Sequence, residues 1–140
     1  MTRSDVSINM LKFINEHHVL SMATLREEAP SSCSLFYLFL EEEMCFICAS
    51  DEATEHIENI KKNPNVSATI HNETTKVKEI KGLQIRATVS KAGAGYEVLY
   101  VSKYPYAKEV KKKTMWKLNV TGLKYTDNSL GFGQKEVWGY

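Results

Sequence analysis

Apolar residues along this chain change period several times, and each change marks an element. Val6, Met10, Phe13 and His17 fall four, three and four apart, one stripe of a helix that Ser4 can cap. Val19 to Leu25 predicts a strand, which Ala29-Pro30-Ser31 interrupts. Ser34 to Leu40 is apolar and aromatic on both parities and predicts a strand covered on both sides. Glu41-Glu42-Glu43 reads as a charged turn, and Met44 to Ala49 as a third strand. A helix then starts at Ser50-Asp51, with Ala53, Ile57 and Ile60 on its buried stripe. Lys61 and Lys62 complement the dipole in its last turn, and Asn63-Pro64 stops it. Val66 to Ile70 is a short strand. Leu83, Ile85, Ala87 and Val89 alternate with Gln84, Arg86, Thr88 and Ser90, a half-buried strand. Gly93 and Gly95 precede a helix over Tyr96 to Ser102, which ends near Tyr104-Pro105. Trp116, Leu118 and Val120 alternate again, before a turn-rich tail from Thr126 to Gly133.

This order favours an α+β domain on a small β-barrel, its early strands close enough in sequence to pair antiparallel. The 140 residues suit a single domain, 1–140, with enough surface to bury for a core of its own. Lys and Arg number 18 against 17 Asp and Glu, a net charge of +1 that lacks the basic excess of a nucleic-acid binder. The longest apolar run, Leu35 to Leu40, is strand length, so no membrane span is expected. The N-terminus lacks a secretory pattern, and three cysteines make no disulfide framework, so a cytoplasmic location is expected.

Cys45 and Cys48 have C-x-x-C spacing, but residues three apart on a strand point to opposite faces, which suits two ordinary buried thiols better than a metal site. His56-Ile57-Glu58 mimics the H-x-E of zinc deaminases without the P-C-x-x-C that must follow it. His17-His18 reads as a core-edge or solvated pair, Lys108 to Lys113 as a solvated helix face, and Tyr96, Leu99 and Tyr100 as core. The segment from Ser50 to His56 carries more. A strand end, a turn and a helix start with Thr54 and His56 in its first turns can gather free N–H groups and hydroxyls around an anion. Alternatively, Ser50 or Asp51 only caps the helix.

Phe46 to Val66, with Ser50, Thr54-Glu55-His56 and Lys62-Asn63-Pro64-Asn65-Val66, resembles the pyridoxamine 5′-phosphate oxidase-like FMN-binding split barrels. Leu83-Gln84-Ile85-Arg86 and Trp116-Lys117-Leu118 are similar to later strands of that family. The tail from Lys124 to Lys135, with Trp138, looks like the YhbP-like subgroup of bacterial proteins. The resemblance implies a six-stranded antiparallel split β-barrel with flanking helices, homodimeric, with FMN at the dimer interface. It places Ser50, Thr54 and His56 on the FMN phosphate and Gln84 on the isoalloxazine. The backbone from Cys33 through Ser34 to Leu35 would also touch the flavin, and Lys135 and Trp138 of the other protomer would close the site.

Glu55 stands where the oxidases carry Arg, His56 where they carry Lys, and the Arg residues they use for cofactor and pyridoxal substrate are missing. Asp51, Glu52 and Glu55 add negative charge near the proposed phosphate. A true pyridoxamine phosphate oxidase is therefore set aside. The leading expectation is an FMN-dependent oxidoreductase acting on an unidentified small molecule, with no side chain nominated as acid or base. A haem-binding or haem-degrading barrel, a deazaflavin or nicotinamide in place of FMN, and a non-catalytic dimeric domain with a vestigial pocket are the alternatives.

Overall fold

The computed structural model describes residues 6–132 and 134–140. Three helices, α1 (Ile8–Glu16), α2 (Glu55–Lys62) and α3 (Ala94–Lys103), accompany eight strands among those residues. The strands are β1 (Val19–Arg26), β2 (Ala29–Phe36), β3 (Leu38–Leu40), β4 (Cys45–Ser50), β5 (Asn65–His71), β6 (Lys81–Lys91), β7 (Thr114–Asp127) and β8 (Lys135–Trp138). All pair antiparallel in one sheet of order β2-β1-β5-β6-β7-β4-β3, with β8 added on β7 beyond the end of β4. The two edge strands, β2 and β3, are consecutive in the chain and separated by Tyr37 alone. One residue cannot span an open sheet, so the sheet must curl until its edges meet. The result is a barrel split along the β2–β3 seam.

Strand alternation fills the inside. Leu20 and Met22 of β1, Phe46 and Cys48 of β4, Val66, Ala68 and Ile70 of β5, and Leu83, Ile85, Ala87 and Val89 of β6 form one core. On β7 the inward positions are Trp116, Leu118 and Val120, then Leu123 and Tyr125. The pairing register with β6 shifts between Arg86 and Ala87, which leaves Thr121 as the extra residue and moves the inward parity from even to odd. Helix α1 closes the barrel with Met10, Phe13 and Ile14. Helix α2 adds Ile57 and Ile60, and its buried Asn59 donates a 3.0 Å hydrogen bond to Thr24 Oγ1 on β1. Helix α3 lies outside the barrel, where Tyr100 packs with Cys45, Ile47 and Met115. No helix among the described residues is long and apolar enough to cross a membrane.

Several expectations are corrected. Ser4 and Gly133 lie outside the described residues, and the cap of α1 is Ser7, whose hydroxyl accepts from the Met10 N–H at 3.1 Å. Pro30 belongs to β2, because an edge strand can place a residue without an N–H on its unpaired side. The chain reverses instead at Glu27, with φ of 58°. Ser34 to Leu40 is two strands, and β2 is exposed or half-buried throughout. The strand covered on both faces is β4, whose first four residues are all buried. Cys45 and Cys48 do face opposite ways, each into a different core. Helix α2 begins after Thr54, so Ala53 precedes it, and Gly95 lies inside α3. Leu99 is exposed, and the lysine run is a short 3-10 turn (Pro105–Glu109) followed by an irregular segment, where a continuous helix face was expected. Eight strands replace six because the seam divides one expected strand and the tail returns as β8.

Candidate functional site

Ser50, Thr54 and His56 meet where β4 ends and α2 begins. Ser50 Oγ lies 2.6 Å from His56 Nε2 and 3.5 Å from Thr54 Oγ1, and Thr54 Oγ1 lies 3.3 Å from His56 Nε2. The sequence folds this way because Asp51 makes the turn: its Oδ1 accepts from the Ala53 N–H at 2.8 Å, and its carbonyl accepts from the Thr54 N–H and hydroxyl. Trp116 Nε1 donates to the Ser50 carbonyl at 3.2 Å and fixes the strand end to β7. Thr54 is the N-cap residue, yet its side chain makes no cap bond, so the first-turn N–H groups of α2 stay uncapped.

The three side chains can serve an anion only in certain protonation patterns. Thr54 gives its proton to Asp51, so toward His56 and Ser50 it is an acceptor. In the Nε2–H tautomer the imidazole donates to Ser50, which frees the hydroxyl proton for a ligand. Burial holds His56 below its ordinary pKa of 6.5, against the weaker opposing pull of Glu55. Of the acidic neighbours, Glu52 pairs with Lys91 at 2.9 Å, and that pairing lowers its carboxyl pKa.

The depressed His56 pKa has a measurable consequence. The unfolded chain takes up this proton at higher pH than the folded one, so the stability tied to neutral His56 is intact well above pH 6.5 and is lost as pH falls through that value. Thermal unfolding between pH 8 and pH 5 should therefore show a smaller loss for His56→Gln than for the natural chain. Equal losses would mean that the imidazole is not desolvated.

The remaining nominated residues lie apart from this cluster. Gln84 is exposed on β6 and lines a separate recess of about 350 Å³ with Thr69, His71, Lys81 and Thr126. Pairing register places Gln84, Thr69, Ser21 and Ser34 in one row across the outer face of four strands. Cys33 and Leu35 alternate with Ser34 and pack against the barrel core. Burial raises the Cys33 thiol pKa. Lys135 is exposed on β8, whereas Trp138 packs on the core of its own chain.

Sequence reasoning missed the wall opposite the cluster. A cavity of about 690 Å³ borders Ser50 and Asp51 and extends between Phe36, Tyr100, Tyr104 and Tyr106, with Lys103, Lys112 and Lys113 also lining it. The signal lay in Tyr100, Lys103 and Tyr104, where aromatics and a cation recur at helical spacing up to Pro105, with Tyr106 just beyond it.

The pyridoxamine 5′-phosphate oxidase family model matches residues 7–127. The chain belongs to that family. It is 35% identical over 126 residues to a UPF0306 protein of Campylobacter jejuni, covering 90% of this chain and 93% of that one. A heme binding protein from Mycobacterium smegmatis superposes with a TM-score of 0.73 at 16% identity over 90% of this chain, which spans only 54% of that structure. An FAD-binding protein from Mesorhizobium loti gives 0.67 at 15% identity, over 84% of this chain and 90% of that one. At such identities the two structures establish the shared split-barrel fold.

Proposed function

We propose that this chain is a homodimeric FMN-binding oxidoreductase acting on a small molecule other than pyridoxamine phosphate. The observation that carries the reading is the convergence of Ser50, Thr54 and His56 at the uncapped start of α2. The Ser50 hydroxyl proton, freed by the imidazole, beside first-turn N–H groups suits a phosphate monoester. Ser50, Thr54 and His56 would hold the FMN phosphate, and Gln84 with the β2 backbone from Cys33 to Leu35 would meet the ring. Bound FMN supplies hydride or electron transfer, and the chain supplies position and shielding. A second copy has a surface to cover: β2 pairs on one side only, and Val19 and Phe36, opposite each other in register, are 43% and 55% exposed. Lys135 and Trp138 of that copy are the candidates for closing the site.

Titration of the purified chain with FMN tests this reading. Quenched flavin fluorescence and a shifted absorbance band are expected, with phosphate-free riboflavin binding more weakly. A chain that leaves the FMN spectrum unchanged defeats it.

One observation favours haem as a second reading. His71 Nδ1 lies 2.9 Å from the Asn72 carbonyl, which can only accept, so the neutral ring keeps a lone pair on Nε2 beside the Gln84 recess. Haem titration with and without His71→Ala decides it, since only a Soret shift lost in the variant supports a His71 ligand.

A further inference from the structure

The aromatic cavity between the end of β4 and the segment after α3 has walls built differently from the phosphate cluster. Its rings stand tilted: Phe36 and Tyr104 have centroids 5.3 Å apart at 55°, and Tyr100 and Tyr104 are 5.1 Å apart at 51°. The hydroxyls of Tyr100 and Tyr104 are engaged elsewhere. Tyr104 donates to the Tyr37 carbonyl, and the Tyr100 hydroxyl bonds the Ala49 backbone. The cavity therefore meets ring carbon from these two residues, and its volume of about 690 Å³ is that of a small-molecule site. Tyr106 and Val110 on its rim are 81% and 46% exposed.

Three lysines line the same space. Lys113 Nζ donates to the Val110 carbonyl at 2.7 Å. Lys103 and Lys112 have no carboxylate partner among the described residues. Lys103 Nζ instead sits 5.6 Å and 5.5 Å from the ring centroids of Tyr37 and Tyr104. Burial holds the Lys103 ammonium below its ordinary pKa, so an incoming anion would relieve it. Asp51 is the single carboxylate on the lining, and its charge disfavours a dianion.

We propose that this cavity binds a planar aromatic carboxylate, its ring between Phe36, Tyr100, Tyr104 and Tyr106 and its single negative charge on Lys103 and Lys112. The site meets the FMN phosphate cluster at Ser50 on its border, its rings and lysines lie beyond that cluster, and it stands whether or not a flavin binds.

Calorimetric titration of the full chain with naphthoate and its neutral amide tests the assignment. Naphthoate should bind about tenfold or more tightly than naphthamide, the size of a lost charge-assisted contact. Lys112→Gln, on an exposed segment that should fold normally, and Lys103→Met should each weaken naphthoate by about tenfold and leave naphthamide unchanged. Ala107→Trp, which fills the cavity, should abolish binding of both while unfolding at a temperature near that of the natural chain. Saturating FMN should leave naphthoate affinity unchanged. Absence of naphthoate binding, equal affinity for acid and amide, binding undiminished by Ala107→Trp, or displacement of naphthoate by FMN would each overturn the proposal. A chain that takes naphthoate and ignores FMN sustains it and defeats only the flavin reading.

Discussion

Tyr37→Ala should lower stability by about 4 kcal/mol, the range for emptying a large aromatic site, out of a total of roughly 5–15 kcal/mol for a domain of this kind. Tyr37 is the whole connection between the two edges of the sheet and is 0% exposed. Its ring meets Phe46 edge-on, with centroids 5.2 Å apart at 82°. Its hydroxyl donates to the Ile14 carbonyl at 2.6 Å, tying the seam to the end of α1, and its N–H donates to the His18 carbonyl at 2.9 Å. The alanine keeps the backbone bond and loses both the ring and the tie. Tyr37→Phe keeps the ring and leaves one buried carbonyl without its donor, a cost of about 1–3 kcal/mol. Thermal unfolding should thus rank the natural chain above Tyr37→Phe and Tyr37→Phe above Tyr37→Ala, with the alanine variant melting about 12 °C or more below the natural chain. A loss of only a few degrees for Tyr37→Ala would mean that the seam closes without this ring.

The seam also shows where the sequence was silent. Alternation in Leu83 to Val89 and in Trp116 to Val120 names the faces of β6 and β7 directly, because each strand has a wet side and a dry side. Phe36-Tyr37-Leu38-Phe39-Leu40 has no such alternation, and an apolar run reads as double burial. In the fold the run crosses the seam, so Phe36 is left exposed while Tyr37 is buried. Double burial falls on Cys45 to Cys48, a run too short and too mixed with sulfur to announce it. The bulge that changes parity at Thr121 depends on the register with β6, which one strand's composition cannot contain.

At the site, local chemistry was readable and distant chemistry was not. Ser50, Thr54 and His56 lie within seven residues on one turn, and the three were nominated together and stand together. Lys112 and Lys113 are some sixty residues away, and their arrival at the cavity beside Ser50 follows from the end of α3 at Tyr104 and the return of the chain into β7 at Thr114. As a bare sequence, four lysines in six positions look like a solvated helix face.

Restoring the charges that this chain lacks should have the largest effect on the proposed cofactor. The cluster at the start of α2 offers donors without a side-chain cation: His56 is held toward its neutral form, and exposed Glu55 occupies the next position. A phosphate monoester carries between one and two negative charges near neutral pH, so hydroxyls and N–H groups alone leave most of that charge unmatched. Glu55→Arg combined with His56→Lys removes one repulsive charge and adds two attractive ones in the first turn of α2. A charge-assisted bond contributes about 1.5–3 kcal/mol, so FMN affinity should rise by about 10–100-fold in a fluorescence titration. Two controls give the result its meaning. Riboflavin has the same ring and no phosphate, so its affinity should not change. The gain for FMN should shrink as salt rises, because these side chains are partly exposed and added ions screen them. Riboflavin tightening equally with FMN would locate the effect on the ring. An FMN affinity unchanged by the double substitution would remove the phosphate from the β4–α2 junction, and the flavin reading would have to be rebuilt on the Gln84 row alone.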